Sequence, residues 1–292
     1  MTSQPTTTDL PLPAVRGKAS AEAARHVREQ LRDHAPLGVA YSGGVDSATL
    51  LALAVAELGS EDVVAILGIS PSLATDERAA AHATAASIGV RVVEVETHEG
   101  DNPAYRANGP DRCFHCKDEL FSRISDEVVT ELGLVAVAYG ENADDAQRPD
   151  RPGSQAATNH EVLRPMAVAG MTKAMVREVA RGFGLDVAEK PAAPCLASRI
   201  PHFQEVTPEK LRQVNEAEAG LRRLGFSDCR VRHHGEIARI EVPTAEIVMA
   251  AEQHDAVHGV VAAAGFRFAA LDMRGIQSGA FTMPLVSAAG RG

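Results

Sequence analysis

Leu37-Gly38-Val39-Ala40-Tyr41-Ser42-Gly43-Gly44-Val45-Asp46-Ser47 (residues 37–47) is the stretch from which the rest of the chain is read. Leu37 to Tyr41 has the make-up of a short buried strand, and Asp46 to Leu58 follows as a helix apolar nearly all round. Two glycines stand where the strand hands over to the helix. Glycine lets the backbone approach a ligand closely, and a helix start offers unpaired N–H groups with partial positive charge. Ser42 and Ser47 add hydroxyl donors. Asp46 suits either a helix cap or the orientation of a magnesium-bound phosphate. A Walker A loop is excluded, because no Lys-Ser/Thr follows the glycines, and a dinucleotide fingerprint lacks its third glycine. A plain tight turn would need the glycines but neither serine nor the aspartate. The reading is a phosphate-binding loop of Ser42, Gly43, Gly44, Asp46 and Ser47.

Outward from the loop, strand and helix patterns alternate. Ser20 to His34 precedes it as a helix. Val63 to Leu67, Val90 to Val95 and Leu134 to Tyr139 read as strands, with helices over Thr75 to Ile88, Lys117 to Leu132 and Thr172 to Phe183. Repeated strand–helix–strand units predict an α/β fold, a parallel sheet covered on both faces. Lys190 to Pro201 is irregular and marked by prolines. Beyond it the pattern changes to a charged amphipathic helix over Pro208 to Leu224 and two paired strands, Cys229 to His233 and Glu236 to Val242. Helical signal over Thr244 to Ala264 and a last strand, Phe266 to Leu271, complete a smaller α+β unit. The expected division is 17–202 and 203–285, with residues 1–16, rich in Thr and Pro, disordered.

Composition narrows the function classes. The charge sum is 29 minus 39, or −10, which argues against a nucleic-acid or anionic-membrane partner. No tryptophan is present, so stacking platforms for single strands are few. The longest mostly apolar stretch, Ala48 to Ala56, is nine residues, far short of a membrane span. Met1 to Pro13 lacks a basic region and an apolar run, so no signal peptide is expected and the cytoplasm is the expected compartment. Reducing conditions there turn the four cysteines toward metal binding, redox chemistry or catalysis. Cys229 reads as a small buried hydrophobe. Cys113 and Cys116 form a Cys-x-x-Cys that suits zinc, a redox pair or an iron–sulfur cluster. Cys195 lies in Pro194-Cys195-Leu196-Ala197-Ser198-Arg199, where Arg199 and a proline-bounded loop favour thiolate.

Two more sets complete the candidates. Asp144 and Asp145, in Gly140-Glu141-Asn142-Ala143-Asp144-Asp145, end a strand where a parallel sheet places ligand groups. Arg230 and Arg232 alternate on a strand, so both face one side and suit a nucleotide phosphate. An exposed salt-bridge network is the alternative for these arginines and for Glu218.

The Ser-Gly-Gly-Val-Asp-Ser loop resembles the pyrophosphatase loop of the N-type ATP pyrophosphatases (the PP-loop superfamily). With the 140–145 segment, Arg151-Pro152-Gly153 and the Pro194–Arg199 segment, the chain resembles the larE family of ATP-dependent sulfur transferases over residues 17–280. The resemblance implies adenylation of carboxylates of pyridinium-3,5-biscarboxylic acid mononucleotide, with ATP and Mg2+, followed by replacement of oxygen by sulfur. This belongs to nickel-pincer nucleotide biosynthesis, with handover to a nickel-insertion enzyme and a homo-oligomer expected. It also implies two sulfur routes. Either Cys195 gives up its own sulfur and becomes dehydroalanine, or Cys113, Cys116 and Cys195 hold a [4Fe-4S] cluster that passes on an extra sulfide. Arg199, Glu218, Arg230, Arg232, Asp144 and Asp145 are the substrate-binding candidates that follow. One departure bears on the substrate: Gln277 stands where the family has an arginine expected to meet a phosphate. The rival enzyme is a tRNA thiolase of the same superfamily, which would need a basic surface; a non-catalytic nucleotide-binding module is the rival from another class.

Overall fold

The computed structural model describes residues 10–147, 153–191 and 193–277. Two compact units form. Among the described residues, those up to Ser70, with Glu77–His98 and Cys113–Ala193, make the first; Pro71–Asp76, Glu99–Arg112 and those from Pro194 to Gln277 make the second.

In the first unit, β1 (Leu37–Ala40) pairs in parallel with β2 (Val63–Ile69) on one side and β4 (Ala136–Tyr139) on the other. β3 (Val92–Glu96) continues the sheet beyond β2, giving the order β3-β2-β1-β4. The expected parallel α/β sheet is therefore present. The chain winds one way from β1 through β3, then returns to β1's other edge. Loops at the carboxyl ends of β1 and β4 flank that reversal, the point where such sheets hold ligands.

The helix Val45–Leu58 explains its own unusual sequence. It packs on the sheet and against helices Lys18–Leu31 and Lys173–Gly182, and so has no polar stripe. Leu50, Leu51 and Leu53 are wholly buried, each worth roughly 1.5–3 kcal/mol of transfer free energy. That packing fixes the loop ahead of it.

Some elements differ from the expectation. The helix expected from Lys117 begins at Arg112, because nothing in Arg112–Lys117 breaks a helix, and it widens into a π-helical turn over Ile124–Val129. Short helices Ala143–Ala146, Gly153–Asn159 and Pro165–Val168 are too brief to show a period. Ala14 N–H donates to the Gly182 carbonyl (3.0 Å), an ordered contact inside a segment whose composition suggested disorder.

The second unit holds the smaller sheet, β5 (Arg230–His234), β6 (Ile237–Glu241) and β7 (Phe268–Leu271). β5 and β6 form the expected antiparallel pair, and β7 runs parallel to β6. Helices Pro208–Arg223 and His254–Ala263 complete its core with Val214, Leu221, Val231, Ile240 and Val261. Cys229 is wholly buried there. The Pro194–Pro201 segment, expected to close the first domain, packs in this unit instead. Side-chain hydrogen bonds draw it there, as detailed below, and Leu196 N–H donates to the Ser72 carbonyl (2.9 Å). Among the described residues no helix is long and apolar enough to cross a membrane.

Candidate active site

The loop after β1 is built around two glycines that no other residue can replace without a shift. Gly43 has φ +71°, and a Cβ there would stand 2.7 Å from Ala81 Cβ and 2.9 Å from Ala81 Cα. Gly140, at the end of β4, would place a Cβ 2.8 Å from both the Asp46 carbonyl carbon and Ser47 N. The end of β4 thus rests directly on the helix start. Ser47 Oγ donates to the Gly44 carbonyl (3.1 Å) and accepts from Ser42 N–H (3.2 Å). Ser42 is exposed and Ser47 buried, and their hydroxyls meet at 3.2 Å, which ties the two ends of the loop together.

Asp46 does not cap its helix. The N-cap is Gly44, extended and without a side-chain bond. Asp46 Oδ1 accepts from Asn142 Nδ2 (3.1 Å), and Oδ2 accepts from Lys173 Nζ (2.5 Å). Asn142 is buried; its Nδ2 also donates to Asp145 Oδ2 (3.0 Å), while its Oδ1 accepts from Asp145 N–H (3.0 Å). Asp144 Oδ2 accepts from Lys173 N–H (2.8 Å). The structure brings Asp144 and Asp145, expected as substrate-binding groups at a strand end, to the loop as parts of a polar brace. Asn142 and Lys173 escaped the sequence reading. Lys173 lies 127 residues beyond Asp46, and its only local signal is Thr172, which caps the helix it opens.

The cysteines divide between the units. Cys113 is exposed and Cys116 half-buried, both near the start of helix Arg112–Arg123, where residues three apart share a face. Cys195 is exposed and directly precedes a 3-10 turn, Leu196–Arg199, in the second unit. Accessible thiols of this kind fit the donor set an iron–sulfur cluster takes. Within neither unit, among the described residues, do three His, Cys, Asp or Glu side chains gather as a metal set. Cys229 stands apart, since burial pushes its thiol up to about 12. Iodoacetamide at pH 8 should accordingly label Cys113 and Cys195 in native protein and spare Cys229 until denaturant is added, as read by peptide mass spectrometry. Native labelling of Cys229 would contradict its burial.

The backbone around Cys195 is held by charge. Arg199 Nη1 donates to the carbonyls of Pro194 (2.6 Å) and Cys195 (3.2 Å) and to Ser198 Oγ (2.9 Å). Its other nitrogens form a two-point pair with Glu218 (2.8 and 3.1 Å), and Glu218 Oε1 also accepts from Val231 N–H (2.9 Å). Both side chains are buried. Farther along, Asn108, at φ +56° and wholly buried, donates through Nδ2 to the carbonyls of Ile200 (3.3 Å), Pro201 (2.8 Å) and Gln204 (3.1 Å). Its Oδ1 accepts from Arg112 Nη1 (2.6 Å), which also donates to the Ala197 carbonyl (2.9 Å).

Arg230 and Arg232 are buried rather than exposed. Arg230 pairs with Asp228. Arg232 makes a two-point pair with Glu241 (3.1 and 2.9 Å) and donates to the carbonyls of Ser198 (3.1 Å) and Gln277 (2.8 Å). Gln277 thus contributes its main chain here, and its side chain turns to the Arg274 carbonyl (3.0 Å). Arg151-Pro152 and the stretch from Ser278 lie outside the described residues.

Residues 21–122 match the family model for asparagine synthase. The pyridinium-3,5-bisthiocarboxylic acid mononucleotide synthase of Lactiplantibacillus plantarum is 32% identical over 258 residues, covering 88% of this chain and 93% of its own. This chain belongs to the larE family. An uncharacterised protein of Synechocystis is 41% identical over 245 residues, covering 82% of this chain and 90% of its own. A second uncharacterised relative, from Methanocaldococcus jannaschii, is 27% identical over 204 residues, 70% of this chain and 76% of its own. Membership in the larE family agrees with the motif resemblance and makes the chain an ATP-using enzyme of the PP-loop superfamily.

Proposed function

We propose that this chain converts carboxylates of pyridinium-3,5-biscarboxylic acid mononucleotide to thiocarboxylates, using ATP. The supporting observation is the 32% identity, sustained over 88% of the chain, to the synthase named for the bisthiocarboxylic product. In the proposed reaction a carboxylate oxygen attacks the α-phosphorus of ATP, the bond to the bridging oxygen breaks, and pyrophosphate leaves. A sulfur nucleophile then attacks the acyl carbon and AMP departs. Backbone N–H groups of the Ser42–Ser47 loop stabilise the charge gathering on pyrophosphate. Asp46 orients the Mg2+ that accompanies ATP, and Asp144 and Asp145 keep the brace around it. Arg230 and Arg232 bind the substrate's phosphate by exchanging part of their carboxylate pairing for it. Arg199 and Glu218, given the bonds they make, serve that substrate by fixing the Cys195 backbone.

For sulfur, we take the cluster route. A [4Fe-4S] cluster held by Cys113, Cys116 and Cys195 would leave one iron without a cysteine ligand, able to carry a sulfide taken from solution to the acyl carbon. The second route needs only the one exposed thiol: Cys195 Sγ takes the acyl group, a base removes the Cα proton, the Cβ–Sγ bond breaks with its electron pair on sulfur, and thiocarboxylate leaves behind dehydroalanine. The working form in this proposal is a cytoplasmic homo-oligomer whose product passes to a nickel-insertion enzyme.

The test is an anaerobic reaction of the full chain with ATP, Mg2+, the biscarboxylic nucleotide and sulfide, followed by mass spectrometry of nucleotide products. Exchange of one oxygen for sulfur together with AMP and pyrophosphate is expected. ADP and phosphate as products would remove the adenylation step. Thiolation of bulk tRNA, with none of the nucleotide, would transfer the assignment to the rival enzyme.

A further inference from the structure

Phe203 has φ +65°, in the left-handed region where a bulky side chain crowds its own backbone. Glycine and asparagine visit that region routinely; phenylalanine is strained there. Such strain persists only where the surroundings over-determine it, and here they do. Phe203 N–H donates to the Asn108 carbonyl (3.1 Å), and Gln204 N–H donates to the Pro201 carbonyl (3.1 Å). His202 Nδ1 bonds the same Asn108 carbonyl (3.2 Å), and the Asn108 amide holds the carbonyls on either side.

The strain brings no packing in return. Phe203 is 66% exposed, and its ring lies tilted beside His202 with the ring centres 6.2 Å apart. The side chain is presented to solvent rather than used to fill a core. Its support is shared with the sulfur segment, since Arg112 Nη1 bonds both Asn108 Oδ1 and the Ala197 carbonyl. Within the second unit, one bracket thus carries Phe203 and the turn that follows Cys195.

What the ring can bind follows from the other aromatic residues. All three tyrosines are buried, and among the described residues every phenylalanine except Phe203 and Phe268 is buried or half-buried. Phe268 is already covered, with the Arg267 guanidinium 5.1 Å from its ring centre. Phe203 is therefore the exposed ring left to receive a ligand. An aromatic face is negative at its centre and attracts cations, and a flat cation can also stack on it. The ring of the nucleotide proposed above is a flat cation, a pyridinium.

We propose that Phe203 is a substrate-binding residue whose ring stacks on the pyridinium of the nucleotide. The inference rests on the function proposed above and adds to it the group that recognises the charge of the substrate's ring.

Calorimetric titration of the full chain can compare pyridinium-3,5-biscarboxylic acid mononucleotide with its borohydride-reduced dihydropyridine form, whose ring is uncharged. Phe203→Leu should bind the pyridinium form roughly tenfold more weakly than wild type does, the scale of a stacked cation contact. For the reduced form the two proteins should agree within about twofold. Phe203→Tyr should keep the wild-type preference. Phe203→Gly removes ring and strain together, so it should bind as weakly as Phe203→Leu yet melt no lower than wild type. Equal loss of both nucleotide forms in Phe203→Leu, or no loss of either, overturns this inference alone. A Phe203→Gly protein that melts clearly lower does the same, because the ring would then be packed rather than presented. So does full nucleotide affinity in Phe203→Leu with altered sedimentation, which would make the ring a protein contact. Wild type that binds neither form, with ATP or without it, overturns the proposed function and this inference with it.

Discussion

Cys195→Ala should abolish thiocarboxylate formation while leaving ATP affinity within about twofold of wild type, since a twofold change is well under 1 kcal/mol. Both sulfur routes pass through this thiol, so the loss is complete under either. ATP, by contrast, is assigned to a loop formed by residues of the first unit, and Cys195 belongs to the second. The routes separate at Cys113. If sulfur arrives through a cluster, Cys113→Ala and Cys116→Ala also lose iron and turnover, and wild type performs many turnovers on added sulfide. If Cys195 is consumed, Cys113→Ala stays active, and intact-protein mass falls by one hydrogen sulfide per transfer. A Cys195→Ala protein that still makes thiocarboxylate would sink both routes.

Glu218→Ala should destabilise the chain by about 3–5 kcal/mol, because removing one partner leaves the other charge buried and unpaired. Arg199 would then keep its carbonyl acceptors but lose both carboxylate contacts, and Val231 N–H would lose its acceptor. Urea unfolding followed by circular dichroism measures the cost. Replacing both partners with Arg199→Met/Glu218→Leu should recover much of it, since a well-packed apolar pair is often as stable as a buried ion pair. Activity should not return with stability in the double variant, because the carbonyls of Pro194 and Cys195 would have lost their common donor. A cost below about 1 kcal/mol, the range of exposed pairs, would mean that the pair does not brace the segment.

Much of the first unit was legible because its signals are local. Leu37–Tyr41 followed by Gly43-Gly44 and an all-round apolar helix specifies a strand, a phosphate loop and a central helix within about two dozen residues. The Thr75–Ile88 helix and the β5–β6 pair were equally visible from their periods. What the sequence concealed depends on contacts between distant positions. Lys173 meets Asp46, and Gly140 packs on Asp46 and Ser47, and neither pairing leaves a periodic trace. Arg199, Glu218, Arg230 and Arg232 were found as charged residues near the right motifs, but alternation along a strand says nothing of which carboxylate opposes each guanidinium. Asp228 lies two residues before Arg230, and Glu241 stands opposite Arg230 in the hairpin register yet bonds Arg232 diagonally across it.

Asn108 bears on how this protein can vary. Its backbone conformation favours glycine or asparagine, and its amide serves three carbonyls and one guanidinium at once. Glycine would keep the backbone and forfeit all four bonds. Aspartate would turn an oxygen toward three carbonyl oxygens, and glutamine would add a methylene to a side chain already wholly enclosed. No single replacement is neutral. A substitution at 108 becomes acceptable only after Arg112 or the 200–204 backbone has changed to suit it, and the converse holds for those residues. Positions 108, 112 and 200–204 should thus drift through evolution as one linked group, with strong epistasis among them, while exposed residues nearby change independently.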